Sequence, residues 1–222
     1  MTALALVVFD LAGTTVEDDG QVPAAFAEAL LDEGIRVTPD EIRDVRGSAK
    51  REALTRFIPD AARRRDRVDA VYDAFRAGLA RRYSASVRAI PGAVEAFSTL
   101  RRRQVRTALT TGFDRDTTTL LLDALGWTRD VVDAIVCGDD VSAGRPAPYL
   151  IHHAMELTGT CQVRAVATVG DTALDLQAGF NAGVGWNIGV LSGAHDRDTL
   201  AAAPHTHLIA SVAALESVWQ QR

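Results

Sequence analysis

The sequence predicts an α/β fold, a doubly wound parallel sheet interrupted after its first strand by a small α-helical insert. Three observations predict it. The chain opens on an apolar run, Ala3 to Phe9, that stops at Asp10, and a run this rich in branched side chains reads as a strand buried on both faces. Residues 17–87 show helical spacing and no convincing strand. From Pro91 onward helices alternate with short apolar strands, the pattern of parallel strands joined by right-handed crossovers. At 222 residues and 47% hydrophobic content, the chain can bury one core plus a small insert. The expected division is a core of residues 1–16 and 88–222 and a helical cap of 17–87.

Each element has a local reason. After the turn at Gly13, Val22 to Leu31 has helical spacing and ends before Gly34. Thr38-Pro39-Asp40-Glu41 supplies an N-cap, a proline at the first helical position and early acids for a short helix toward Val45. Gly47-Ser48 breaks it, and Ser48 is expected to cap a helix running to Phe57 before Pro59. Asp60 is expected to start a longer amphipathic helix with Val68, Val71, Tyr72, Phe75 and Leu79 on its apolar face. Beyond Pro91, helices are expected over Gly92–Arg102, Arg115–Leu125, Pro148–Leu157, Ala173–Asn181 and Val212–Trp219. Strands are expected over Val105–Thr110, Ala134–Cys137, Ala165–Val169, Gly185–Val190 and His207–Ile209.

Composition narrows the partners. A formal net charge of -5 gives no electrostatic footprint for nucleic acid, which favours a small molecule. No run approaches membrane-spanning length, and the start is interrupted too soon by Asp10 to be a signal peptide. Cys137 and Cys161 fit neither a zinc spacing nor a disulfide framework. A cytoplasmic protein is therefore expected. Lys50 is the only lysine among the 24 basic residues, and an amine can lose its proton and form an imine where a guanidinium cannot.

In an open α/β sheet the residues just past each strand meet at one edge. Past the first strand comes Asp10. Past the second come Thr110, Thr111 and Gly112; past the third, Gly138-Asp139-Asp140 leads to Arg145; past the fourth, Gly170-Asp171 leads to Asp175. Singly, Asp10 could merely end a turn, Asp171 could be a helix N-cap, Arg145 a surface cation and Thr111 a strand end. Together they suit phosphoryl chemistry. Carboxylate oxygens hold Mg²⁺, the Thr14 and Thr111 hydroxyls and neighbouring amides can meet phosphate oxygens, and Arg145 can carry their charge while Asp10 attacks in line.

These residues carry a resemblance to the haloacid dehalogenase superfamily over nearly the whole chain. Asp10-Leu11-Ala12-Gly13-Thr14 resembles its first motif, Thr110-Thr111-Gly112 its second, Arg145-Pro146 its third and Gly170-Asp171-Thr172-Ala173-Leu174-Asp175 its fourth. The resemblance implies a Rossmann-like core with a mobile cap, an aspartyl-phosphate on Asp10, and Mg²⁺ held by Asp10, the Ala12 carbonyl and Asp171 with support from Asp175. It further implies phosphate binding by Ala12, Gly13, Thr14, Thr111 and Gly112. Two departures stand out. Ala12 occupies the position where the family usually keeps a proton-donating Asp, and Arg145 replaces its usual lysine. Both resemble the phosphonatase subgroup, whose cap lysine forms a Schiff base with an aldehyde substrate; Gly47-Ser48-Ala49-Lys50 stands at the matching place. That subgroup's motif has a methionine four residues before the lysine and a histidine three after it, where this chain has Arg46 and Ala53.

The expected activity is Mg²⁺-dependent transfer of a phosphoryl group from a small organophosphorus metabolite through Asp10 to water. One alternative is cleavage of the carbon–phosphorus bond of phosphonoacetaldehyde with Lys50 as imine former. Another is a non-catalytic phosphate sensor or receiver-like module. Gln21, Arg46, Lys50 and Arg51 are candidates to meet the organic part of the substrate. A homodimer through the Val22–Leu31 face is open, though an ordinary insert core explains the same residues.

Overall fold

The computed structural model describes residues 3–59, 64–127 and 130–220. Six strands form one parallel sheet: β1 Leu6–Asp10, β2 Arg106–Thr110, β3 Ala134–Val136, β4 Val166–Gly170, β5 Trp186–Val190 and β6 His207–Ile209, in the order β3-β2-β1-β4-β5-β6. Asp10 is the last residue of β1, paired in register with Thr110. Strand order reverses between β1 and β4, so the chain ends there diverge and leave a crevice at the carboxyl edge.

Alternation along β1 feeds two cores. Val7 and Phe9 point to one face, where Phe9 meets Phe97 edge to face with centroids 5.2 Å apart. Leu6 and Val8 point to the other and join Leu150, Ile151 and Ala154. The covering helices are α5 Ala93–Arg102 and α6 Arg115–Ala124 beside the first core, and α7 Tyr149–Thr158 and α8 Ala173–Ala182 beside the second, with α9 Arg197–Ala202 and α10 Leu215–Gln220 closing the chain. Burial of both faces explains why the strands read as continuous apolar runs rather than alternating ones.

Between β1 and α5 the regular elements among the described residues are helices: α1 Gln21–Asp32, α2 Pro39–Asp44, α3 Lys50–Phe57 and α4 Arg64–Ala85. The chain enters and leaves this segment side by side, with Glu17 N–H donating to the Arg88 carbonyl at 2.9 Å and Ile90 N–H to the Thr15 carbonyl at 2.9 Å. Its apolar residues pack on one another, Phe26 lying edge-on to both Phe57 and Phe75. Val22, Ala25, Phe26, Ala29 and Leu30 are buried in that packing, so the face considered for a second copy is occupied within the chain.

Several local expectations differ. The capping box at Thr38 and Glu41 is present, but Ser48 does not cap α3: its hydroxyl donates to the Val45 carbonyl at 2.6 Å, and Ala49 holds the N-cap position. Asp171 is no N-cap either, because Thr172 caps α8 in a box with Asp175. The expected start of the long helix at Asp60 lies outside the described residues. Helix α9 was not expected, since its six residues bury only Leu200 and show no apolar stripe; Asp196, whose side chain accepts the Thr199 N–H at 2.9 Å, was the available signal. No helix of the described residues is long and apolar enough to cross a membrane.

Candidate active site

Asp10, Ala12, Thr111, Gly112, Arg145 and Asp171 meet at one small cavity at the carboxyl edge, and Arg46 and Lys50 reach it from the helical insert. Gly13 and Thr14, expected to bind phosphate, do not line it. The Thr14 hydroxyl donates to Asp171 Oδ1 at 3.2 Å and the Gly13 N–H to the Val16 carbonyl at 2.7 Å, so both groups are engaged within the protein.

Arg145 ties the carboxylates together. Its Nη2 lies 2.8 Å from Asp10 Oδ1 and its Nε 2.7 Å from Asp175 Oδ1. The same Nη2 donates to the Thr110 hydroxyl at 2.9 Å. Asp175 spends its other oxygen on the Thr172 hydroxyl and on the Thr172 N–H at 3.1 Å, so both its oxygens are engaged. Asp171 accepts from Thr14 and, at 2.6 Å, from the Ala194 N–H.

One carboxyl oxygen from each of Asp10, Asp171 and Asp175 lies within 4.8 Å of the other two, and all three residues are buried. Burial is the main reason the Asp10 carboxyl is pushed up to about 8; Arg145 pulls it back, while Asp175 and Asp171 push it further. Asp171 rises to about 6, through burial first and Asp175 second. One guanidinium does not neutralise three crowded acids. A divalent ion would, and a buried set of hard oxygens is the donor chemistry that Mg²⁺ takes, so the residues fit that ion.

Lys50 is 8% exposed. Its ammonium donates to the Ser48 carbonyl at 3.3 Å and lies 5.4 Å from the centre of the Phe113 ring. Burial, then the Arg46 charge, lower its pKa to about 8, against the opposing pull of Asp10. The loop that carries it is clasped by the core. Gly47 has φ 85° and presses on the Thr172 side chain, where a Cβ would collide; a Cβ on Gly112 would lie 2.5 Å from the Ser48 carbonyl oxygen. Lys50 N–H reaches back to the Gly112 carbonyl at 3.4 Å. Small residues here let two backbones touch and fix where the amine stands.

Other candidates fall elsewhere. Arg51 pairs with Asp69 and stacks 4.3 Å from the Tyr72 ring, half exposed and away from the cavity. Gln21 donates to the Ser86 carbonyl at 2.7 Å and does not line the cavity. Three residues escaped sequence reasoning. Asp18 lines the cavity and pairs with Arg46; in the run Glu17-Asp18-Asp19 it looked like one more solvated acid. Tyr83 buries its hydroxyl without a hydrogen-bond partner among the described residues. His195 accepts the Ala173 N–H at Nδ1, 3.0 Å away, which leaves Nε2 to donate to the Arg43 carbonyl at 3.4 Å and link insert to core.

Comparison with known proteins shows the family and the fold. The profile of the haloacid dehalogenase-like hydrolases matches residues 4–183. Phosphonoacetaldehyde hydrolase of Paraburkholderia phytofirmans is 32% identical over 90% of this chain and 81% of its own length; that of Bacillus cereus strain AH187 is 32% identical over 86% and 76%. Among solved structures, a hydrolase from Pseudomonas syringae superposes with a TM-score of 0.88 at 25% identity, covering 98% of both chains. A phosphonoacetaldehyde hydrolase-like protein from Oleispira antarctica gives 0.85 at 26% identity, covering 100% of this chain and 92% of that one.

Proposed function

The chain belongs to the haloacid dehalogenase-like hydrolases, and from that membership we propose that it hydrolyses a small phosphonate bearing a carbonyl next to the carbon attached to phosphorus, with Asp10 as phosphoryl acceptor and Lys50 as imine former. The observation that carries this reading is the buried Lys50 amine, lowered to about 8, in one cavity with Asp10 and Arg145. The relatives named phosphonoacetaldehyde hydrolase support the same substrate class.

The steps follow from the side chains. The neutral Lys50 amine adds to the carbonyl, and the adduct takes up a proton from solvent and loses water, giving a protonated imine. An Asp10 oxygen then attacks phosphorus as the carbon–phosphorus bond breaks, and its electron pair flows into the iminium to leave an enamine. Arg145, fixed by Asp10 and Asp175, and the Thr111 hydroxyl carry charge on the phosphoryl oxygens. Water cleaves the aspartyl-phosphate; protonation and hydrolysis of the enamine release the aldehyde or ketone and return the amine. Asp10, Asp171 and the Ala12 carbonyl would hold Mg²⁺, which when bound supplies charge neutralisation, and Asp175 supports the set through Arg145 and Thr172. The helical insert acts as the cap that brings Lys50 and Arg46 to the core.

Ala12 fits this chemistry, because an electron-withdrawing iminium makes an acid at that position unnecessary. A phosphate ester is the second reading, favoured by the absence of a histidine three places after Lys50, where Ala53 is buried and cannot move imine protons. A panel of phosphonates and phosphate esters with Mg²⁺ decides between them. Asp10→Asn is expected to abolish turnover of both kinds. Lys50→Arg is expected to abolish phosphonate cleavage alone, and equal loss on esters would refute the imine.

A further inference from the structure

The cavity has a second charged end that phosphoryl transfer does not use. Asp18 and Arg46 line it beside Lys50, paired through Arg46 Nη2 and Asp18 Oδ2. The carboxylate is 1% exposed and the guanidinium 18%, so the pair is withdrawn from water and not a loose surface bridge. Asp18 Oδ1 also accepts the Val22 N–H at 3.1 Å, which ties the carboxylate to the first turn of α1. A guanidinium has five N–H donors, and among the described residues Asp18 is the acceptor Arg46 has.

Tyr83 of α4 lies within the field of the same corner. Burial first, then Asp18, hold its phenol protonated, with Arg46 opposing and Asp10 adding to the effect. Its hydroxyl has no hydrogen-bond partner among the described residues, a costly state for a buried donor. Unused donors on Arg46, which lines the cavity, suit an oxygen-bearing ligand. Its charge is set by Asp18. A carboxylate brought to Arg46 would stand against a buried anion that already neutralises the same guanidinium, whereas an uncharged carbonyl or hydroxyl oxygen would take the spare N–H groups without repulsion.

We propose that Arg46, held by Asp18, is a specificity residue that donates hydrogen bonds to an uncharged oxygen on the organic part of the substrate, and that Asp18 excludes substrates carrying a second anionic group there. This rests on the reading of Asp10 as phosphoryl acceptor. It adds a selection rule: the reaction that supplies this enzyme delivers an aldehyde, ketone or alcohol, not a phosphono- or phospho-carboxylic acid.

Two matched pairs test it. Phosphonoacetaldehyde is set against 3-phosphonopyruvate, where a carboxylate is added beside the carbonyl, and glycolaldehyde phosphate against 2-phosphoglycolate, where a carboxylate replaces the aldehyde. Phosphate release with Mg²⁺ gives kcat/KM for wild type, Asp18→Asn and the double variant Asp18→Asn/Arg46→Gln. Asparagine keeps the shape and still accepts the Val22 N–H, and thermal melting of both variants checks folding. Wild type is expected to favour the uncharged member of each pair it turns over by about tenfold or more, and Asp18→Asn to shift that ratio at least about tenfold toward the carboxylate. The double variant, again a neutral pair, is expected to bring the ratio back toward wild type. A wild-type preference for either carboxylate, or ratios in Asp18→Asn within about twofold of wild type, overturns the inference. Turnover by Asp10→Asn equal to wild type overturns instead the phosphoryl-acceptor reading beneath it.

Discussion

Imine chemistry requires a neutral amine, and the position of Lys50 says how much of it exists at each pH. With a pKa of about 8 in place of 10.5, about one amine in ten is neutral at pH 7, against about one in three thousand for an ordinary lysine. Trapping of the imine by cyanoborohydride in the presence of phosphonoacetaldehyde, followed by peptide mapping, reads this directly. Its initial rate is expected to rise about tenfold from pH 6 to pH 7 and about fivefold from pH 7 to pH 8, then less than twofold to pH 9. An unperturbed lysine would keep rising about tenfold per pH step across the whole range. The sign of the metal effect also follows: Asp10 opposes the shift, so Mg²⁺ at that carboxylate weakens its pull and moves the curve to lower pH. Continued tenfold growth above pH 8, or label on any residue but Lys50, would refute the reasoning.

Further outcomes follow from the same geometry. In Gly112→Ala the new Cβ stands 2.5 Å from the Ser48 carbonyl oxygen, so the loop bearing Lys50 must shift; overpacking of this kind costs about 1–3 kcal/mol, and steady-state kinetics should show kcat/KM down by about tenfold or more, with wild-type kinetics counting against the clasp. The pH dependence of stability without metal has a defined sign. Asp10 and Asp171 are raised from 3.8 to about 8 and about 6, so the folded state binds more protons than the unfolded, and these two groups subtract stability as pH rises from about 4 to about 8. Calorimetry should accordingly show Mg²⁺ raising Tm more at pH 8 than at pH 5, and an equal rise at both would contradict the crowded-carboxylate account.

Much of this arrangement was legible in the sequence because strand ends in a parallel sheet converge by topology alone. Once Asp10, Thr111 and Asp171 each followed an apolar run and Arg145 lay in the loop after another, their meeting required only the crossover rule, and the six strands fall within a few residues of where periodicity puts them. What topology does not encode is side-chain pairing across the insert. Asp18 and Arg46 are 28 residues apart, and nothing in either segment separates a buried pair from two solvated charges. Arg51 shows the converse: one residue from Lys50, it turns to Asp69 and Tyr72 because α3 packs that side against α4. Ser48 failed as a cap because the backbone of its loop is committed to the core through Gly112, a contact between chain segments 64 residues apart that no local cap preference anticipates.

The same pairings bear on why Ala12 is tolerable. Of the three cations lining the cavity, Arg145 is held by Asp10 and Asp175 and Arg46 by Asp18. Lys50 alone among them rests on a backbone carbonyl and an aromatic ring, with no carboxylate bonded to it among the described residues. A carboxylate partner would stabilise the ammonium and remove the nucleophile. Its absence, together with burial, leaves Lys50 as the one amine in the cavity, able to give up its proton near neutral pH and, on the proposed reading, to take electrons back through an imine. An acid at position 12 would stand in the lining of the same cavity and add a further carboxyl beside Asp10 and Asp171, both already pushed upward by burial and by neighbouring carboxylates. Replacing Ala12 by Asp therefore does more than restore a proton donor: it raises the demand for metal and favours the Lys50 ammonium, so it should weaken imine trapping even where it helps an ester leave.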